Sequence, residues 1–172
     1  MGRFIPVSPK RLELSVVIPV TRLNHAVLFV SDVERAVDFY TEAFGLEVVA
    51  REMDGRAAFL RSPHGTNHHD LGLFAVPGAS HPPTGTITGL YHLAWQVDRV
   101  DDLVTARETL ARLGALTGES DHGATLSIYG ADPDGNEFEI MWMLPREDWG
   151  AGAERATVAP LDLPAALARY GG

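Results

Sequence analysis

The 172-residue chain contains no cysteine, which excludes disulfides, thiolate nucleophiles and cysteine metal sites. Lysine and arginine total 14 against 23 aspartate and glutamate residues, so the formal net charge is −9. A nucleic-acid partner and an anionic membrane surface are therefore not expected. The longest apolar stretch near the start, from Leu14 to Val20, is short and contains Ser15 and Pro19, too little to span a bilayer. These absences predict a cytoplasmic protein.

Hydrophobic residues make up 45% of the sequence and charged residues 22%, as in globular domains. A strand–helix–strand–strand–strand order is predicted twice. The expected divisions are an N-terminal arm at 1–21, a first βαβββ module at 22–78, a linker at 79–88, a second module at 89–145, and a C-terminal tail at 146–172. The fold class is α+β, and neither module has enough sheet to bury itself. We therefore expect the two modules to pair into one curved mixed sheet around a site.

The first strand of the first module, residues 23–30, is apolar on both faces, which predicts burial on both sides. Ser31 is predicted to cap the following helix, with Glu34 completing a capping box. Gly45 is predicted to end that helix. A short helix is also predicted in the tail at 164–170.

Two histidines occupy equivalent positions in the repeat. His25 and His92 each stand five residues before the valine that ends the first strand of their module. Pairing of the modules would place them on facing strands. On the last strand, Glu137 and Glu139 share a face with Met141. Two imidazoles and one carboxylate form a facial triad that suits Fe(II), with Mn, Co, Ni or Zn as alternatives.

The motifs around these residues are known from one superfamily. Residues 23–46 contain Leu-Asn-His-Ala-Val-Leu-Phe-Val-Ser-Asp, then Ala-Val-Asp-Phe-Tyr and Phe-Gly-Leu, and residues 132–139 read Asp-Pro-Asp-Gly-Asn-x-x-Glu. Over roughly 22–145 the chain resembles the vicinal oxygen chelate superfamily, which contains glyoxalases, fosfomycin-resistance proteins and extradiol dioxygenases. The resemblance implies that His25, His92 and Glu139 are the metal ligands, with Glu137 as the alternative carboxylate.

Within the superfamily, three further positions are similar to those of catechol extradiol dioxygenases. Asp121-His122-Gly123 and Tyr129 precede the turn motif, as do a pocket histidine and tyrosine in those enzymes. Asn67-His68-His69-Asp70-Leu71 is similar to the segment that supplies their acid–base histidine, and the match selects His69 over His68. The resemblance implies that His69, His122 and Tyr129 are catalytic.

The function implied by the resemblance is ring cleavage of a catechol-like aromatic by dioxygen at Fe(II). A homodimer is expected from the habit of the superfamily. Two alternatives remain open: a metal-dependent lyase or isomerase of the glyoxalase type, and a small-molecule binding protein of the resistance type.

Overall fold

The structure, a computed structural model, describes residues 18, 20–76, 78, 88–150 and 157–172. Most of the predicted arm and linker therefore lies outside the described residues. Among those that are described, no helix is both long and apolar enough to cross a bilayer.

Two βαβββ modules follow one another, as predicted. The first contains β1 (Ala26–Val30), α1 (Val33–Phe44), β2 (Glu47–Glu52), β3 (Ala57–Arg61) and β4 (Leu71–Ala75). The second contains β5 (Leu93–Val97), α2 (Asp101–Leu113), β6 (Leu116–Asp121), β7 (Thr125–Ala131) and β8 (Glu137–Met143). A 3₁₀ turn at Arg146–Asp148 and the C-terminal helix α3 (Leu163–Tyr170) complete the described elements.

Each module forms its own four-stranded mixed sheet, in the orders β1-β4-β3-β2 and β5-β8-β7-β6. The first strand of each module pairs in parallel with the last, and the remaining pairs are antiparallel. The fold class is thus confirmed, with one difference. The described strands form two sheets rather than one curved sheet, and β1 and β5 each lie at an edge.

Helix α1 joins the modules by packing against both sheets. Its residues Phe39 and Phe44 lie on Phe138 of β8, with ring centroids 6.0 and 5.0 Å apart, and Phe44 also contacts Trp95 of β5 at 5.5 Å. Every sheet thus has a core face turned towards the helices and an opposite face turned away from them. The buried apolar residues of the strands, among them Leu28, Leu60, Leu71, Ile128, Phe138 and Ile140, belong to one hydrophobic core.

The turn between β7 and β8 also binds α1. The carboxylate of Asp132, only 5% exposed, accepts hydrogen bonds from the hydroxyl of Tyr40 at 3.1 Å and from the backbone amides of Asp134 and Asn136. These bonds offset the cost of burying the charge. Burial, followed by the negative charge of Asp132, raises the pKa of Tyr40, so its hydroxyl remains a donor.

Two local expectations were wrong. Asp32, and not Ser31, caps α1 by accepting a bond from the Arg35 amide. The hydroxyl of Ser31 instead donates to Asp134, 103 residues away. On β1, Val27 is 50% and Phe29 72% exposed, because their face of the sheet lies opposite the helices and nothing in the described chain covers it.

Gly130 of β7 offers a test of this packing. A Cβ there would lie 2.6 Å from Cζ of Phe138 and 3.0 Å from the Ala115 carbonyl. Because the backbone carbonyl cannot yield, we expect Gly130→Ala to lower the free energy of unfolding by about 1–3 kcal/mol in urea titrations. Gly118 on the neighbouring strand has nothing within 4 Å, so Gly118→Ala should change stability by less than about 0.5 kcal/mol. Equal effects of the two variants would contradict the packing.

Candidate metal centre

The second module brings together four of the predicted site residues, His92, Glu139, His122 and Tyr129. His92 Nε2 lies 3.1 Å from Oε2 of Glu139, and the hydroxyl of Ser127 donates to Oε1 of the same carboxylate at 2.5 Å. Strand pairing produces this arrangement, because Glu139 is opposite Ala94 of β5 and Tyr129 of β7. His92 and Glu139 are therefore held together by backbone register.

Burial distinguishes the two candidate carboxylates. Glu139 is 9% exposed, whereas Glu137, two residues earlier on β8, is exposed to solvent. The described ion pairs link Glu139 to His92 alone, with no lysine or arginine. The Nδ1 atom of His92 is buried without a hydrogen-bond partner in the described residues. A buried carboxylate beside an incompletely paired imidazole is a donor set that a divalent cation would satisfy.

His122 and Tyr129 border this pair. His122 Nε2 lies 2.7 Å from the Tyr129 hydroxyl, and Nδ1 lies 2.8 Å from the carbonyl oxygen of Thr157. The rings of Tyr129 and His92 are 5.8 Å apart. Burial, followed by the negative charge of Glu139, raises the pKa of Tyr129 to about 12. Tyr129 is therefore protonated at neutral pH and can donate a hydrogen bond.

His25 and His69 lie together on the outward side of the first sheet. Their ring centroids are 4.4 Å apart, and Nδ1 of His69 lies 3.0 Å from Nδ1 of His68. His25 is exposed, and its Nδ1 lies 2.9 Å from Oδ1 of Asn24. Burial, followed by the neighbouring His25 and His68 rings, lowers the pKa of His69, which favours its neutral form.

The predicted site residues are thus brought together as two groups. His92, Glu139, His122 and Tyr129 belong to the second sheet, and His25 and His69 to the first. Within the described part of one chain, no three histidine or acidic side chains are close enough to hold a metal ion. Sequence reasoning missed Ser127, whose position opposite Met141, two residues from Glu139, follows only from the β7–β8 register.

Comparison with known proteins agrees with this architecture. The family model described as Glyoxalase/Bleomycin resistance protein/Dioxygenase superfamily matches residues 22–140. The chain is 31% identical over 150 residues to Metapyrocatechase 2 of Cupriavidus necator, covering 83% of this chain and 43% of the relative. It is 31% identical over 156 residues to Biphenyl-2,3-diol 1,2-dioxygenase 3 of Rhodococcus globerulus, covering 86% and 80%.

Solved structures show the same fold. A glyoxalase/dioxygenase from Nostoc punctiforme, 25% identical, superposes with a TM-score of 0.64 and covers 76% of this chain and 98% of that one. The chain spans less than half the length of the first of the two relatives above. The family model matches residues 22–140, and the structure has the two repeated modules that carry the motifs. The chain therefore belongs to the glyoxalase/bleomycin resistance protein/dioxygenase superfamily.

Proposed function

We propose that this protein is a metal-dependent extradiol-type dioxygenase that cleaves the ring of a catechol-like aromatic. The observation that carries the proposal is the contact between His92 and Glu139 on the same sheet face as the Tyr129–His122 pair. Two metal donors beside a phenol donor and an imidazole acceptor suit a diol, which presents two oxygens and loses a proton on binding. The names of the two relatives above support the same reaction class.

The metal ligands in the proposal are His25, His92 and Glu139, and Fe(II) is the preferred ion, with Mn, Co, Ni or Zn as alternatives. When bound, the metal would lower the pKa of a substrate hydroxyl and hold the reactants close together. The protein's own residues would orient the diol. The Tyr129 hydroxyl donates its proton to His122 Nε2, and its oxygen accepts a hydrogen bond from a substrate hydroxyl. Neutral His69 accepts a proton and returns it once it is charged.

Because His25 lies in the other group, the proposal requires a second copy of the chain. Each copy of the chain has an incomplete set of ligands on each sheet. The first sheet contributes His25, and the second contributes His92 and Glu139. His25 directly precedes β1 and His92 directly precedes β5, and both strands lie at open sheet edges. Two-fold association that brings β1 of one copy to β5 of the other would complete two equivalent sites.

Exposed apolar residues beside both histidines support association at this place. Near His25 they include Leu23 at 84% and Phe29 at 72% exposure, and near His92 they include Leu90 at 70% and Tyr91 at 73%. Apolar side chains grouped around an incomplete polar site are typical of surfaces that are covered in an assembly. A two-fold homodimer with two equivalent sites at its interface accounts for both features.

The reaction is tested first. After anaerobic reconstitution with Fe(II), we expect the protein to consume dioxygen when given small catechols, with an equal amount of a yellow ring-cleavage product measured by absorbance. An inactive control is Glu139→Gln, which keeps the size of the side chain and removes its charge. Tight metal binding without oxygen uptake across a broad panel would contradict the dioxygenase and favour a lyase or isomerase of the glyoxalase type.

The choice of carboxylate is tested by metal content. We expect Glu139→Ala to lose stoichiometric metal, because it removes the buried donor that contacts His92. Glu137→Ala is the matched control on the same face of β8, and it should retain metal because Glu137 is exposed. Metal analysis after dialysis measures both variants, and the reverse pattern would reject Glu139 as the ligand.

The shared site is tested by mixing variants. Chains with His25→Ala and with Glu139→Ala are given different affinity tags and co-expressed, and the mixed dimer is isolated. If His25 acts across the interface, one of the two sites in that dimer has all three ligands, so about half of the wild-type metal should bind.

The control for this experiment pairs His92→Ala with Glu139→Ala. Both residues lie on one sheet of one chain, so neither site of the mixed dimer is complete and no metal should be recovered. A monomer in solution, or loss of metal in the first mixture as well as in the control, would contradict a site shared between copies.

A further inference from the structure

The C-terminal segment, residues 157–172, lies beyond the region matched by the family model and extends the second sheet. The Asp121 amide donates to the Ala159 carbonyl at 2.8 Å, and the Ala159 amide donates back to the Asp121 carbonyl at 2.9 Å. This antiparallel bridge lies at the open edge of β6. We name residues 157–161 the C-terminal strap.

Helix α3 holds the strap in place. Leu163 and Ala166 are buried in the common core at 4% and 9% exposure. The Tyr170 ring packs on Trp142 of β8 at 5.2 Å, and its hydroxyl donates to Asp148 at 3.0 Å. The strap is therefore fixed at one end by a buried helix and at its centre by two backbone hydrogen bonds.

The strap ends against a candidate catalytic side chain. The carbonyl oxygen of Thr157 lies 2.8 Å from Nδ1 of His122, whose Nε2 lies 2.7 Å from the Tyr129 hydroxyl. A carbonyl oxygen only accepts hydrogen bonds, so Nδ1 of His122 must carry the proton. In the neutral ring Nε2 is then an acceptor, and the Tyr129 hydroxyl donates to it.

We propose that the strap is a positioning element that fixes the tautomer and orientation of His122 through the backbone carbonyl of Thr157. Its effect on turnover rests on the proposed function, whereas its effect on His122 does not. Without the carbonyl, the imidazole of His122 has no described partner that selects the Nδ1–H tautomer. The ring would then populate the Nε2–H form, in which it donates to Tyr129 and no longer accepts from it. The strap thus determines the direction of the hydrogen bond at the site.

The experiment that tests this role is NMR of the histidine ring nitrogens in full-length, ¹⁵N-labelled protein without metal, at about pH 8.5, where histidines are ordinarily neutral. The chain has 7 histidines, and the His122 signals are assigned by their loss in His122→Asn. We expect wild-type His122 to be in the Nδ1–H form. Observation of the Nε2–H form would overturn the proposal, and this measurement needs no variant of the strap.

Ala159→Pro releases the strap selectively, because proline cannot donate to the Asp121 carbonyl. We expect mixed tautomers of His122 in this variant, and in the reconstituted enzyme a fall in kcat of about tenfold with metal content unchanged. Ala159→Ser is the matched control: the side chain is exposed and the amide donor remains, so both readouts should equal the wild type. His122 unaltered in a folded Ala159→Pro variant would reject the strap's role. If the tautomer shifts in Ala159→Pro but the wild-type protein has no oxygenase activity, the strap's role is supported and the proposed function is rejected.

Discussion

The packing of α1 against the core faces of both sheets is the constraint on which the rest of the structure depends. Helix α1 packs on the strands of its own module, and its Phe39 and Phe44 reach Phe138 and Trp95 of the second module. A sheet that gives one face to this core leaves the other face for polar side chains. The candidate site residues lie on those other faces, which point away from the shared helix, and the donors of one chain therefore form two groups rather than one.

The turn motif at 132–136 shows why a sequence signature can be diagnostic of a fold without touching a ligand. Asp132 is buried and accepts hydrogen bonds from the turn and from Tyr40, while Asp134 pairs with Ser31 and Arg35. Both carboxylates therefore hold the second module to α1 of the first. In this chain the two carboxylates therefore serve the packing of the modules, and their role does not depend on the chemistry of the outward faces.

Sequence patterns predicted the elements well because strand alternation, helix periodicity and turn residues act locally, as with Gly45, whose positive φ of 65° ends α1. These patterns failed where a contact with a residue distant in sequence determines which of two adjacent residues takes a structural role. Ser31 and Asp32 can each cap a helix, and the contact of Ser31 with Asp134 leaves Asp32 as the cap. The apolar face of β1 predicted burial, but an apolar pattern does not distinguish a face covered by its own chain from one left open.

The repeat predicted equivalent positions for His25 and His92, yet symmetry between modules does not say whether equivalent strands meet in one chain or between two. Pairing within one chain and pairing between two chains bury the same core faces, so the apolar pattern of the sequence does not distinguish them. The position of His122 is harder still to predict, because its partner is the Thr157 carbonyl, a group that every residue possesses. A backbone acceptor has no signature in the sequence. The side chains of this site could therefore be predicted from motifs. The direction of the hydrogen bond between His122 and Tyr129 could not, because it depends on the position of the Thr157 backbone.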